Sequence, residues 1–389
     1  MPTYDANDIV ELKNRKKRRK RRIKLLIFLL IAAAAGGLYY TRETWLPKLQ
    51  GIGEQYQTII NDGRLAEGNF PIEINGGSEY QLKYSDDTVM MLCDAYMYYY
   101  NTDGGLIKKR QHAFSNPLLA AAGGNALIFE SGGDELVVEN ADTIMYTKKF
   151  GNNNIMFARI SAEGYTAVVT TSGSYACELT VFNEKGKNIY SRKCVERISD
   201  IDFVDESEGC VLSYIDAADG TLITKVQKLN FTESEPVYTS AEVDTLGMET
   251  YGFGSGAFVL GMTSCAYTDS NGNISSYYKY DGDFAGGDSK GGKAAIIIND
   301  DDRRKYSLLL FDKAEGEPVA IDFDSPLKDV QVYDGLAYVM SKTEISAYDF
   351  SGSIRSTAAV SDSYSSFRRS DEHIFLMSYN RIDRIDYNS

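Results

Sequence analysis

Histidine is almost missing from this chain: His112 and His373 are the only two in 389 residues. A serine nucleophile needs a base beside it, and histidine is the usual one, so hydrolase chemistry of that kind has little to work with. Residues 287–291, "GDSKG", fit the G-x-S-x-G pattern. A nucleophile elbow also needs a strand–turn–helix setting, and the segment reads as a flexible glycine-rich loop. Residues 287–294 nearly match a phosphate-cradling loop, but Ala294 stands where a magnesium-holding Ser or Thr is required, and the strand "AAIII" follows in place of a helix. Tryptophan occurs once, at Trp45. A sugar site would therefore have to draw its aromatic platforms from the 28 tyrosines. Tyr96, Tyr98, Tyr99 and Tyr100 are candidates that strand packing explains equally well.

Cysteines are few and carry no metal or redox spacing. The five, Cys93, Cys177, Cys194, Cys210 and Cys265, form no C-x-x-C pair. Cys177 and Cys194 flank the hairpin turned by "NEKG". They stand opposite each other only if the register centres between Lys185 and Gly186, since a one-residue slip puts them on opposite faces. All five read as buried free thiols. Acidic residues are abundant, and residues 299–304 ("NDDDRR"), 280–288 ("YDGDFAGGD") and 269–273 ("DSNGN") are the densest sites. A calcium loop wants alternating oxygen ligands and a later bidentate acid. Ala285 interrupts the series that begins at Asp281 and Asp283, and Tyr280 takes the final acid position of the loop that begins at Asp269. These segments read as solvated turns. No catalytic, cofactor-binding or metal-ligating residue is assigned, and no cofactor is expected.

What the chain does have is a sharp charge asymmetry. Its net charge is −14. Ten of the 41 basic residues and three of the 55 acidic ones lie at or before Lys24, which leaves 31 against 52 and a net of −21 beyond it. From Ile23 to Tyr40 only Lys24 is charged, enough apolar helix for roughly 27 Å against a ~30 Å hydrocarbon core. The basic run from Lys13 to Lys24 should stay cytoplasmic, with Tyr39, Tyr40 and Trp45 at the far interface. The expected organisation is a basic tail at 1–22, a transmembrane helix at 23–40, a juxtamembrane stalk at 41–69 and an extracytoplasmic domain at 70–389. Two rivals are a signal peptide cleaved near Ala32 to Ala35 and a nuclear or nucleic-acid patch at "KKRRKRR". The apolar span beside that patch argues against nucleic acid. The basic tail suits anionic lipid head groups.

From Phe70 onward short runs rich in Val, Ile, Tyr, Phe and Thr alternate with Asn, Asp, Gly and Ser clusters, and no long helix is predicted. One grammar recurs: a strand ends in Asn or Asp, a tight polar turn follows, and a second strand leaves it. Such turns begin at Asn101, Asn140, Asn183, Asn230, Asp269, Asp312, Asp349 and Asp386, spaced by roughly 40 residues, the length of a four-stranded propeller blade. The clearest unit is Val330 to Val360, with strands "VQVY", "LAYVMS", "EISAYDF" and "SIRSTAAV". The final unit stops after its third strand, and the orphan strand "FPIEI", Phe70 to Ile74, can supply the fourth and close the ring. The fold class expected is therefore all-β, a propeller of four-stranded blades. Eight blades are favoured, or seven if residues 240–300 contain an insertion. A β-sandwich is the competing architecture.

The segment "DGLAYVMSKTEISAYDFSGSIRST" resembles a blade of the quinoprotein-like and WD40-like propellers. The whole layout resembles a family of membrane-anchored propellers from Gram-positive bacteria. Trp45 lies outside the repeats, so the tryptophan docking ladder of quinoproteins and the Trp-Asp signature are absent. The resemblance implies a non-enzymatic binding or scaffolding module at the outer face of the cytoplasmic membrane. It would be anchored by one helix and would offer a propeller face to a protein partner. The alternative is an envelope hydrolase or lyase using carboxylates at the central channel. Convergence of acids with Arg or Lys at one end of that channel is what would favour it.

Overall fold

The computed structural model describes residues 70–74, 79–312 and 316–386, all within one unit, Leu65–Ser389. Eight four-stranded antiparallel sheets follow one another, spanning residues 80–111, 117–149, 155–194, 197–239, 247–279, 284–323, 329–359 and 364–386. They are called blades 1 to 8 here, with strands a to d from the inside outward. Among the described residues no helix is long and apolar enough to cross a membrane. The span expected at 23–40, with its tail at 1–22 and stalk at 41–69, lies outside the described residues.

The recurrent polar turns are the c–d turns of blades 1 to 7; Asp386, where an eighth was expected, ends strand c of blade 8, whose strand d is Ile72–Glu73. In four of them the sequence is Asn or Asp, two residues, then Gly, beginning at Asn101, Asn183, Asp269 and Asp349. The glycine N–H closes a turn on the carbonyl of the first residue, at 2.8 Å for Gly186 on Asn183. The first side chain also accepts N–H groups beyond it, from Lys185 at 3.1 Å and Lys187 at 2.9 Å in the Asn183 turn. This is a hairpin built on a type I turn and a left-handed glycine. The register shift it imposes appears at the same place in blades 1, 3, 5 and 7.

Ring closure follows the predicted swap. Strand Ile72–Glu73 pairs with Arg381–Asp386, with Ile72 opposite Ile382, and Ile74 N–H donates to the Asn380 carbonyl at 2.8 Å. Ile72 and Ile74 are buried and Glu73 is exposed. The isoleucines join Leu82, Val89 and Tyr100 of blade 1 and Phe375 of blade 8 in one apolar cluster. The borrowed strand thus completes blade 8, and the same cluster packs that blade against blade 1.

Two expectations are corrected. Residues 240–300 hold no insertion: they supply all of blade 5 and the first two strands of blade 6, which decides for eight blades over seven. Residues 287–290 are not a flexible loop but part of strand a of blade 6, Phe284–Lys290. Glycine there reflects close packing between blades, because a Cβ on Gly287 would lie 3.0 Å from the Leu260 side chain of blade 5.

Candidate functional site

The inner strands define the central channel: Tyr80–Ser85, Pro117–Ala122, Ile155–Ile160, Arg197–Val204, Gly247–Phe253, Phe284–Lys290, Asp329–Tyr333 and Tyr364–Arg369. Side chains alternate along a strand, so residues at one distance from the a–b turn share a level. Counting back from the last paired residue of each a–b hairpin, the third position is Lys83, Ala120, Arg159, Asp202, Tyr251, Asp288, Gln331 and Arg368. All eight line two voids of about 320 and 340 Å³. Both voids are bounded by Lys83, Glu249 and Tyr251. Two residues earlier along their strands, Asp200, Glu249 and Asp329 add a second acidic level. Acids and bases therefore do converge in the channel.

Most of these acids have a structural task. An inner strand is a sheet edge, and its outward N–H groups need acceptors. Asp200 accepts from Thr250 N–H at 2.8 Å, Asp202 from Gly252 at 2.8 Å, Asp288 from Val332 at 2.7 Å and Asp329 from Phe367 at 3.0 Å. Gln81 and Gln331 do the same for Leu119 and Arg369. Each bond runs from one blade to the inner strand of the next. Burial pushes Asp288 up to about 6, with the neighbouring acids Glu249 and Asp329 adding to the effect. Burial likewise raises Asp200, and Arg159, 2.6 Å away, pulls it back only in part. Arg368 lies 3.2 Å from Asp329. Lys83 has no ion pair among the described residues. Desolvation and the charges of Arg368 and Arg159 lower its affinity for the proton.

The other candidates from the sequence are dispersed. Ser289 donates to the Lys293 carbonyl at 2.9 Å across its own hairpin. His112 contacts the Cys93 carbonyl at 2.8 Å and His373 the Asp386 carboxylate at 3.1 Å, on blades 1 and 8. Residues 299–304 form a b–c turn and 269–273 a c–d turn. Asp281 is held at about 2 by hydrogen bonds from Lys305 at 2.6 Å and Arg303 at 2.7 Å. Tyr99 is buried and donates to Glu139 at 2.9 Å, beside Arg110, whereas Tyr96 and Tyr98 sit under Lys109. Cys177 and Cys194 are direct partners across their hairpin, in the register centred between Lys185 and Gly186, and both are buried thiols. Sequence reasoning missed Lys83, Arg159 and Glu249. Their signal was a fixed offset from each a–b turn, visible only once the blades are aligned.

One end of the ring carries a second feature. The b–c turns, the d–a links and the starts of the inner strands share that face, because strands alternate in direction within each blade. Tyr175 and Val195 of blade 3 project there with Leu222 of blade 4 and Met248 and Met262 of blade 5, Val195 being 73% exposed. Strands b and c of blade 4 run to ten residues each, so their hairpin stands out from this face. The exposed acids Asp219, Glu242 and Asp244 lie at this end too, as do the exposed bases Lys193, Arg197 and Lys279.

Fold and channel define an eight-bladed β-propeller. The chain belongs to a family of unknown function (DUF5711), which it matches over residues 67–386. No curated protein matches it. Among solved structures it is similar to the C-terminal WD40 domain of Sif2 (TM-score 0.56, 12% identity, covering 82% of this chain and 99% of that one). It is also similar to BamB from Moraxella catarrhalis (0.53, 11%, 82% and 100%). A third is the dihydro-heme d1 dehydrogenase NirN in complex with DHE (0.53, 12%, 74% and 67%). At these identities the likeness is one of fold.

Proposed function

We propose that this protein is a single-pass membrane protein with a cytoplasmic N-terminus, whose extracytoplasmic propeller is a non-enzymatic scaffold docking a protein partner. The observation that carries the docking reading is the apolar group on one face of blades 3 to 5, Tyr175, Val195, Leu222, Met248 and Met262. Contiguous exposed apolar side chains bordered by polar ones mark interaction surfaces. The net charge of −14 favours a partner with a basic rim. The anchor reading rests on the basic run ahead of an apolar segment, and two propeller relatives with WD40-like and BamB-like folds are consistent with a scaffold.

Two measurements test it. With Asp5→Cys and Lys342→Cys in intact cells, an impermeant maleimide should label position 342 and spare position 5 until the membrane is permeabilised. The reverse pattern overturns the topology. A photoreactive residue at 222 should give a protein adduct that Val195→Asp and Met262→Asp abolish, while one at 354, on the outer rim of blade 7, should give none. Adducts that ignore those two substitutions would remove the docking face. The second reading, an envelope hydrolase or lyase, draws on the channel carboxylates. Against it, four of the five acids each commit an oxygen to the backbone of the next blade.

A further inference from the structure

The channel wall is uneven in a way the docking reading does not use. Blade 2 contributes "PLLAAA" to the inner ring, so Ala120 stands where the other blades offer longer side chains. Space opens there, flanked by Lys83 of blade 1 and Arg159 of blade 3. Arg159 is neutralised by Asp200 and Arg368 by Asp329. Lys83 has no ion pair among the described residues; it lines both voids, with Arg159 and Arg368 near it and the carboxylates of Glu249 and Asp288 acting on it at longer range. Directly across an eight-membered ring from blade 1 is blade 5, which presents Glu249. That carboxylate is exposed to the channel, and its one hydrogen bond among the described residues is from the Tyr251 hydroxyl. An ammonium group and a carboxylate thus face one another across a shared void, and no ion pair joins them.

We propose that the channel binds a small zwitterion, its carboxylate held by Lys83 and Arg159 over Ala120 and its ammonium group by Glu249. Two voids of about 320 and 340 Å³ fall in the size range of small-ligand sites. A ligand of zero net charge also suits an acidic protein better than a polyanion, since the surrounding field repels added negative charge. The bound carboxylate would give a direct partner to a half-buried lysine that has no ion pair among the described residues and only the longer-range pull of Glu249 and Asp288 to offset its desolvation. This inference rests on the channel and is independent of the docking face.

Calorimetry on the full-length protein tests it with β-alanine, 4-aminobutyrate and alanyl-alanine. Butyrate, butylamine and inorganic phosphate serve as single-sign probes. At least one zwitterion should bind about tenfold or more tighter than every single-sign probe. Lys83→Gln and Glu249→Gln should each weaken it by about tenfold or more. Lys83→Gln should melt close to wild type without ligand, because the desolvation it relieves offsets the longer-range attraction to Glu249 and Asp288 that it removes, so lost binding cannot be ascribed to misfolding. Absence of binding by all three zwitterions overturns the proposal. So does butyrate or phosphate binding as tightly, or affinity that is unchanged in either variant.

Discussion

Burial of a carboxylate disfavours its charged form, and Asp288 shows the consequence for a single residue. Its backbone partners, the N–H groups of Val332 and Ser289, do not offset the desolvation, and its carboxyl is pushed up to about 6 from 3.8. Between those values the folded protein binds a proton that the unfolded chain does not. Stability therefore rises as pH falls through this window and is lost as pH rises past about 6. Asp281 and Asp349, held at about 2, act oppositely, and their contribution disappears as pH falls below the ordinary carboxylate range. The melting temperature should peak between these limits, and Asp288→Asn should flatten its rise as pH falls from about 6.5 to about 4.5. An unchanged slope would place the titrating group elsewhere. The cysteines make a second residue-scale case. Four of the five are buried and Cys93 is half-buried, so thiol counting should find at most one reactive group in the native protein and five in denaturant. Three in denaturant would mean that Cys177 and Cys194, opposite each other across their hairpin, had formed a disulfide.

At the scale of elements, the c–d turns punctuate the whole chain, and their chemistry is local. Gly186 closes its turn at φ +73°, and a Cβ there would lie 2.7 Å from the Tyr146 ring of the preceding blade. Both the backbone and the neighbouring blade require glycine. Gly186→Ala should cost about 1–3 kcal/mol, as read from urea unfolding. Gly132→Ala provides the contrast: φ is +85° but nothing lies within 4 Å, so it should cost less. Equal losses would mean that contact with Tyr146 adds nothing. These turns were legible in the sequence because the side-chain acceptor, the tight bend and the left-handed glycine all lie within four residues. The inner strand of blade 6 was not legible. "GDSKG" has loop composition; the approach of Leu260 from another blade explains Gly287, while Gly291 belongs to the a–b turn at φ +63°.

For the whole molecule, closure is the long-range event, joining residue 72 to residue 382. Ile72 is buried and Glu73, its neighbour on the same short strand, faces water. In the full-length protein Ile72→Ala should lower stability by about 2–4 kcal/mol, whereas Glu73→Ala should change it by no more than about 0.5 kcal/mol. Equal effects in chemical denaturation would mean that the closing strand is not packed as described.

The sequence by itself determined the fold class, the strand grammar, the positions of the seven c–d turns and the missing last strand, because each is written in residues close together in the chain. It favoured eight blades without deciding the number, since residues 240–300 look loose until their neighbours are in place. Tertiary structure decided the rest. It brought Lys83, Arg159, Glu249 and the buried aspartates to one channel from strands far apart in sequence, and it gave most of those acids a structural partner in the next blade. It also gathered Tyr175, Val195, Leu222, Met248 and Met262 on one face. A ring of repeats equates positions by their distance from a turn. The meaning of a side chain in such a ring comes from the blades beside and opposite it, which no local stretch of sequence contains.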